Sequence, residues 1–386
     1  MCGMNANLIT AERAGSIVEQ MAGESMHAKR LQSLTNAVVG VVNAVSLSIH
    51  AIGAGLAGAS GLNTKHAIKQ VDRLLSNSAL SVWALFAHWV PYVVESKKEI
   101  VVALDWTDFD ADGHSMIGIY LVTSHGRAMP LVWMTVMKSR LKGRRNKFED
   151  AVIRRLHEVL PPGVRLTLLA DRAFGDQKLY EFLTELGFDF IIRFRGIVAV
   201  ESVDGEIRTA AKWVPPNGRI RQIRGAKVTK DRYELDSVVC VKARGMKEPW
   251  CLAVRGALLK GAAAVKLYGR RFTIEETFRD TKDPRYGLGL SATHVRDVDR
   301  RDRLLLICAM AIALLTLLGA AGESLGMDRM LKANTVKKRT HSLFRQGCHY
   351  YAAIPNMKQE KLEPLAQRFG EYVLREPVYV HAFGLK

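Results

Sequence analysis

Three acidic residues are candidates for a catalytic or metal-binding site, and the first two follow apolar runs. Asp105 follows the apolar run IVVAL, and Asp171 follows the apolar run VRLTLLA. Both runs are typical of buried strands, where an unpaired carboxylate is costly. Hard divalent cations prefer carboxylate oxygens, so a metal ion could balance both charges. The alternative for either aspartate alone is a cap on the turn that leaves its strand.

The third acid, Glu275, lies in the segment VKLYGRRFTIEETFRDTKDP, which predicts one helix that ends at the Asp-Pro pair. On a helical wheel, four side chains share an arc of roughly 60°, and they are Tyr268, Arg271, Glu275 and Lys282. Glu276 points away from this arc. The alternative for such a charged stripe is a solvated face. Three carboxylates can hold two Mg²⁺ ions about 3.5 to 4 Å apart for in-line attack at phosphorus.

The net positive charge of the chain predicts a polyanionic partner. Lys and Arg number 56 against 38 Asp and Glu, which gives the 386-residue chain a net charge of +18. Nucleic acid is the leading partner for such a chain, followed by an anionic membrane surface. The hydrophobic fraction of 48% excludes a disordered chain.

Several basic residues are candidates for phosphate contact. Two runs without acids, 138–147 and 211–230, each contain six Lys or Arg. Both favour a track for a phosphate backbone, and the alternative for each is a solvated loop. In the helical segment TKHAIKQVDRLLSN, Lys65, Lys69 and Arg73 fall off the apolar face. The candidate set from these segments is Lys65, Lys69, Arg73, Lys142, Arg144, Arg145, Arg219, Arg221 and Arg224.

The apolar patterns predict the elements that hold the acids. Residues 1–96 are predicted to be helical. Between 31 and 64 the apolar pattern is interrupted by Asn43, Ser46, Ser48, His50 and the glycine-rich GAGLAGASG, which predicts a helix, a loop and a further helix. Three antiparallel strands and then helix, strand, helix and strand follow over 97–196, which predicts a mixed α/β sheet. Residues 197–255 are predicted as an inserted β subdomain. The remaining ranges are 256–325, the second part of the core, and 326–386, a helical region.

The cysteines and the apolar stretches indicate the cellular location of the protein. The five cysteines, Cys2, Cys240, Cys251, Cys308 and Cys348, are odd in number and form no CxxC pair, which favours reduced thiols in the cytoplasm. No secretory signal is visible at the start of the sequence. The stretches 31–64 and 304–322 lack charges and reach membrane-spanning length. We interpret the second as the central helix of a large core.

The spacing Tyr268-x₂-Arg271-x₃-Glu275-x₆-Lys282 resembles the Tyr-Arg-Glu-Lys signature of bacterial DDE transposases of the fourth-numbered insertion sequence family. The likeness extends through the blocks KRLQSLT, TKHAIKQVDRLLSN, LDWTD, KEPWCLA, IEETFRDTKDPRYGLGL and KANTVKKR. These blocks cover nearly the whole chain. Arg172, directly after the second aspartate, is a departure from the pattern.

The resemblance implies an RNase H-like core with Asp105, Asp171 and Glu275 as metal ligands, a β-strand insertion and an N-terminal DNA-binding region. It implies cut-and-paste transposition of double-stranded DNA with two Mg²⁺ ions, for which Mn²⁺ can substitute. Nicking, hairpin formation, hairpin opening and strand transfer would share one site. Two protomers would hold the two inverted-repeat ends, with a host DNA-bending protein as an additional partner and the bacterial nucleoid as the location.

Four further residues complete the predicted DNA contacts, and they are Arg193, Arg195, Trp250 and Arg279. Trp250, in the block KEPWCLA, is expected to stack on a base that leaves the helix during hairpin formation. The alternative for this tryptophan is a place in the core.

Three other functions remain open on the sequence. A metal-dependent nuclease without strand transfer would use the same carboxylates. A catalytically silent DNA-binding protein would keep only the basic surface, and a membrane protein would use the apolar stretch 304–322 as a span.

Overall fold

The computed structural model describes residues 11–22, 26–95, 97–256, 259–285 and 287–374. Cys2 and the remaining parts of the predicted regions lie outside these residues. The described part begins with α1 (Ala11–Ala22), α2 (Ala28–Ala44), α3 (Ile49–Ser60), α4 (Thr64–Ser76) and α5 (Val82–Val94). In α4 the predicted apolar face is confirmed, because Val71, Leu74 and Leu75 are buried.

The predicted helix, loop and helix between 31 and 64 are confirmed as α2, a break at residues 45–48 that contains Ser46 and Ser48, and α3. The expected interruption at GAGLAGASG is wrong, since these residues form most of α3. Glycine is needed here for close helix packing: a Cβ at Gly40 would lie 2.5 Å from the carbonyl oxygen of Ile52, and one at Gly55 would lie 2.6 Å from that of Gly40. Contact between the two helix backbones outweighs the low helix propensity of glycine.

The predicted order of strands and helices over 97–196 is confirmed. It comprises β1 (Glu99–Phe109), β2 (His114–Val122), β3 (Ala128–Met137), α6 (Arg145–Val159), β4 (Arg165–Ala170), α7 (Gln177–Glu185) and β5 (Asp189–Arg193). Strands β1, β2 and β3 form an antiparallel meander, whereas β4 pairs in parallel with both β1 and β5. The sheet is therefore mixed, as expected from the sequence.

Strands β6 (Ala199–Glu201), β7 (Ile207–Thr209), β8 (Arg221–Val228), β9 (Tyr233–Val241) and β10 (Trp250–Arg255) extend the same sheet. The junction is an antiparallel pairing between β10 and β5. The resulting order is β3-β2-β1-β4-β5-β10-β9-β8-β6-β7, with ten strands. Segment 197–255 thus places its strands beside the strand that follows Asp171.

The described chain after β10 is mainly helical, with α8 (Gly261–Gly269), α9 (Phe272–Lys282), α10 (Val298–Ser324), α11 (Leu343–Ala353) and α12 (Gln359–Leu374). Helices α9 and α10 cover the free edge of β3 with side chains. Thr277 Oγ1 accepts from the N–H of Ala128 at 2.8 Å, and the Asp302 carboxylate accepts from the N–H of Thr135 at 3.0 Å. These contacts satisfy backbone groups of an edge strand that would otherwise invite pairing with another chain.

Helix α10 contains the apolar stretch 304–322 and is long and apolar enough to cross a membrane. Its residues from Leu304 to Leu318 are buried against the rest of the protein. The interpretation as a central core helix therefore agrees with the structure.

Candidate active site

Strand register brings the first two acids together. In the parallel pairing of β1 with β4, Leu104 is the partner of Ala170, and each is followed directly by one of the aspartates. Asp105 and Asp171 therefore lie side by side where this pairing ends. The sequence predicted that each aspartate follows a buried strand, and the register adds that the two strands are neighbours.

The prediction that Asp105 ends its strand is wrong. Only the pairing with β4 stops there, while β1 continues to Phe109 as one arm of a hairpin with β2. Asp171 does end its strand, and its Oδ1 accepts from the N–H of Ala173 at 2.8 Å. The alternative role of a turn cap is thus present at Asp171 alongside its position beside Asp105.

The predicted single helix around Glu275 is also wrong, because the chain breaks between α8 and α9. The N–H groups of Arg270 and Arg271 bond to the carbonyls three residues back, at 3.0 and 2.9 Å. Arg271 stands at the start of α9, from which its side chain reaches both Asp105 and Glu275. The break changes the phase of Tyr268, which is only 1% exposed and does not line the rim of a cleft as predicted.

Arg271 lies between two of the predicted metal ligands. Its Nη1 is 3.2 Å from Asp105 Oδ2, and its Nη2 donates to Glu275 Oε1 at 2.6 Å. Its Nε is buried without a hydrogen-bond partner in the described chain. Within the described ranges, no three His, Cys, Asp or Glu side chains form a group that could hold a metal ion. The guanidinium thus compensates the acids that the sequence assigned to a metal.

Burial raises the pKa of Asp105 to about 6, against an ordinary value of 3.8. The Arg271 guanidinium opposes this rise, and the nearby Asp171 and Glu275 carboxylates add to it. Removal of the Asp105 carboxylate from water is therefore the main cause of the raised pKa, and the Arg271 guanidinium only partly opposes it. Asp105 and Glu275 also line one open cleft of about 650 Å³ together with Lys282 and Arg279.

The Lys282 ammonium is fixed at the wall of this cleft. Its Nζ donates to the carbonyl oxygen of Asp108 at 2.6 Å and to Thr107 Oγ1 at 3.1 Å. An ammonium has three donors, so one remains for a ligand. Burial lowers the pKa of Lys282.

Glu276 faces a different set of partners, as the helical wheel predicted. Its Oε2 is paired with Arg279 and lies 3.7 Å from Arg127 Nη1. Arg127 also pairs with the buried Asp280. Adjacent glutamates on α9 therefore have separate surroundings, which makes them a matched pair for experiments.

An aromatic cluster lies beside Arg271. The half-buried Trp250 meets Tyr268 edge to face with ring centroids 4.9 Å apart, and Phe272 lies at 6.2 Å from the Trp250 ring. Phe272 is 43% exposed, and Arg271 Cζ is 4.7 Å from its ring centroid. The sequence analysis missed Phe272, although its position directly after the signature arginine was a usable signal.

Some of the basic residues are held in ion pairs with carboxylates, and others are exposed. Arg145 lies 5.1 Å over the ring of Trp106, which links the run 138–147 to the neighbour of Asp105. Arg193 is paired with Glu248, as is Arg172, and Arg279 is paired with Glu276. The following predicted DNA contacts are exposed: Lys65, Lys69, Arg73, Lys142, Arg144, Arg145, Arg195, Arg219, Arg221 and Arg224.

For the run 211–230 the sequence left a solvated loop as the alternative, and the second half of the run is instead a strand. Strand β8 begins at Arg221, and Arg224 is the register partner of Ser237 on β9. Arg221 also lies 4.6 Å over the ring of the buried Trp213. The strand gives these arginines fixed positions that a solvated loop would not give.

A family model described as a transposase DDE domain matches residues 96–314, which is more than half of the chain. The chain belongs to this DDE transposase family. The matched range begins just before β1, ends within α10 and contains all three predicted acids. A comparison with curated proteins found no match.

Proposed function

We propose that the chain is a metal-dependent DNA transposase that moves an insertion sequence by a cut-and-paste mechanism. The observation that carries the proposal is the position of Asp105 beside Asp171 on paired strands, with the buried Arg271 joining Asp105 to Glu275 of α9. The order β3-β2-β1-β4-β5 supports an RNase H-like core, and the signature around Glu275 supports the fourth-numbered insertion sequence family.

The donor set fits a hard divalent cation, because carboxylate oxygens are the ligands that Mg²⁺ and Mn²⁺ prefer. Burial raises the pKa of Asp105 although Arg271 opposes the rise, and a bound cation would further stabilise the charged form of this carboxylate. Asp105, Asp171 and Glu275 would hold the ions, and two such ions supply activation of the attacking oxygen and stabilisation of the leaving oxygen. For the ions to enter, Arg271 would exchange Glu275 for a phosphate of the DNA.

Arg271 and Lys282 are proposed to hold the reacting phosphate. A guanidinium offers paired donors that match a phosphate, and the Lys282 ammonium keeps one free donor at the cleft. Tyr268 would act from beneath the surface, where it packs between Trp250 and the Arg271 side chain. Trp250, with Phe272 at its side, would receive a base that leaves the stack when a hairpin forms.

The remaining basic surface is proposed to hold DNA on both sides of the cleft. The run 138–147 lies beside Trp106, and the arginines of β8 extend along the sheet beyond β10. On α4, Arg73 lines an open cleft with residues of α2 that include Lys29 and Arg30. Two protomers would pair two element ends, with a host DNA-bending protein as a partner and the nucleoid as the location.

The test is an assay of the full-length protein on a supercoiled plasmid that carries the DNA flanking its gene. Mg²⁺ or Mn²⁺ should give nicks at the element ends, hairpin ends and then strand-transfer products, and EDTA should abolish all three. Nicking without transfer would favour a nuclease. No cleavage with either metal ion would favour a silent DNA-binding protein.

A further inference from the structure

We propose that Arg301 is a positioning residue for Lys282 and acts through the ring of Phe109. The inference rests on the proposed role of Lys282 in holding phosphate. Arg301 begins the second turn of α10 and does not line the cleft that contains Asp105 and Glu275. Its effect would be to hold the Lys282 ammonium at the wall of the cleft.

Phe109 connects the two cations. The Lys282 Nζ lies 5.0 Å from the centroid of the Phe109 ring, and the Arg301 Cζ lies 4.1 Å from the same centroid. Phe109 is the last residue of β1, four positions beyond Asp105, and it is 4% exposed. A cation over an aromatic face is attracted by the ring, so the ring fixes both side chains.

Arg301 is held rigidly on the protein side of this ring. The side chain is fully buried, its Nε donates to His114 Nδ1 at 3.0 Å and its Nη2 pairs with Asp112. Nη2 also donates to the carbonyl oxygen of Val295 at 3.1 Å. His114 is the register partner of Phe109, so Arg301 fastens both residues of one cross-strand pair at the end of the hairpin.

A buried arginine at this place has a cost that packing alone does not explain. Its Nη1 has no hydrogen-bond partner in the described chain, and a buried donor without a partner is destabilising. The Arg301 guanidinium, whose charge is paired with Asp112, does, however, occupy the space behind the Phe109 ring, with its Cζ 4.1 Å from the ring centroid. The ring therefore cannot move away from Lys282, and the Lys282 ammonium cannot withdraw from the cleft into the protein. The bonds to Thr107 and Asp108 then set its position along the wall.

The adjacent Arg300 offers a matched control. It points to another element, where it pairs with Asp72 and Ser76 of α4. A change at Arg300 disturbs the start of α10 and the contact with α4, but it leaves the contacts at Phe109 in place.

A double-mutant cycle on plasmid nicking in Mg²⁺ tests the inference. K282A should slow nicking on the order of 100-fold. R301M and F109L should each slow it roughly 10-fold to 100-fold, because a small displacement of a catalytic group is costly. F109L keeps an apolar side chain and so tests the same link if R301M is poorly folded. In the double variants with K282A, neither R301M nor F109L should slow nicking beyond the loss caused by K282A alone. The losses of nicking rate caused by R300Q and K282A should instead multiply.

The outcomes separate the two proposals. Losses that multiply for both R301M with K282A and F109L with K282A would overturn the positioning role and leave the role of Lys282 intact. Normal nicking by K282A would overturn the proposed role of Lys282 itself. R301K should restore nicking, since a lysine restores the positive charge behind the Phe109 ring. This result would support a positioning role if R301M and R301K both keep the melting temperature of the parent protein.

Discussion

Arg271 and Asp105 form an ion pair across the gap between α9 and β1, with 3.2 Å between Nη1 and Oδ2. The arginine side chain is 6% exposed and the aspartate side chain 17%. A charge pair in such a place gains little stability, because removal from water costs about as much as the attraction returns. We therefore expect this ion pair to contribute to the reaction rather than to the stability of the fold.

Replacement of Arg271 by Met should slow strand cleavage on the order of 100-fold, the usual cost of losing one donor to a developing charge. The physical reason is that Asp105 loses its compensating cation and the phosphate loses its paired donors. R271K should recover only part of the rate, since an ammonium lacks the paired geometry. Nicking rates in Mg²⁺ measure this, and full activity of R271M would remove Arg271 from the site.

Trp250→Ala should leave first-strand nicking nearly unchanged and selectively slow hairpin formation. Stacking of a base on an aromatic ring is worth about 1 to 3 kcal/mol, which corresponds to a roughly 5-fold to 150-fold slower step. A time course on the plasmid substrate would then accumulate nicked intermediates. Uniform loss of every step with a lowered melting temperature would instead assign Trp250 to the core, where its contact with Tyr268 already places part of the ring.

Replacement of Arg219, Arg221 and Arg224 by Gln should weaken DNA binding and flatten its dependence on salt. Each lost phosphate contact lowers the slope of log affinity against log salt by about 0.9. The effect should be the same for duplexes of unrelated sequence, because phosphate contacts carry no base information. An unchanged slope of log affinity against log salt would show that this surface is solvated and does not contact phosphates.

Asp302 predicts a pH dependence of stability. Burial raises its pKa to about 7 in the folded protein, against 3.8 as the ordinary value. Between these values the folded state holds a proton that the unfolded state has released, so the free energy of unfolding falls as pH rises from about 4 to about 7. Asn at this position can still accept from Thr135 and removes the titration. D302N should therefore gain at least about 1.4 kcal/mol, the worth of one pKa unit, relative to the parent between pH 5 and pH 8.

Thermal unfolding of both proteins at the two pH values measures this difference. Parallel changes in the melting temperature of D302N and the parent would show that Asp302 does not titrate in this range.

The sequence predicted the strands of the sheet more completely than the arrangement of the candidate site. Alternating and continuous apolar runs identified β1 to β5 and the helices between them, because burial on a sheet imposes those patterns directly. The same reasoning failed at GAGLAGASG, where close approach of two helix backbones overrides propensity. It also failed at Arg270 and Arg271, where no proline or cap marks the break between α8 and α9.

The sequence named the candidate acids, but their spatial relationships come from the fold. The apolar runs before Asp105 and Asp171 predicted a carboxylate after each of two buried strands, and the register of β1 with β4 then places the two side by side. The position of Arg271 between Asp105 and Glu275 depends on the helix break, and the burial of Tyr268 follows from it. The contact between Arg301 and Phe109 joins residues 192 positions apart, and a local pattern contains no information on such a pair.

The central claim is that Asp105, Asp171 and Glu275 form one metal-dependent site for DNA strand cleavage, and the adjacent glutamates of α9 test it most directly. The measurement is the rate of plasmid nicking by E275Q and E276Q in Mg²⁺, with DNA binding and melting temperature recorded for both. We predict that E275Q binds DNA but does not cleave it at all, whereas E276Q, which loses only its pairing with Arg127 and Arg279, cleaves at nearly the parent rate. Cleavage by E275Q together with loss of cleavage in E276Q would contradict the account.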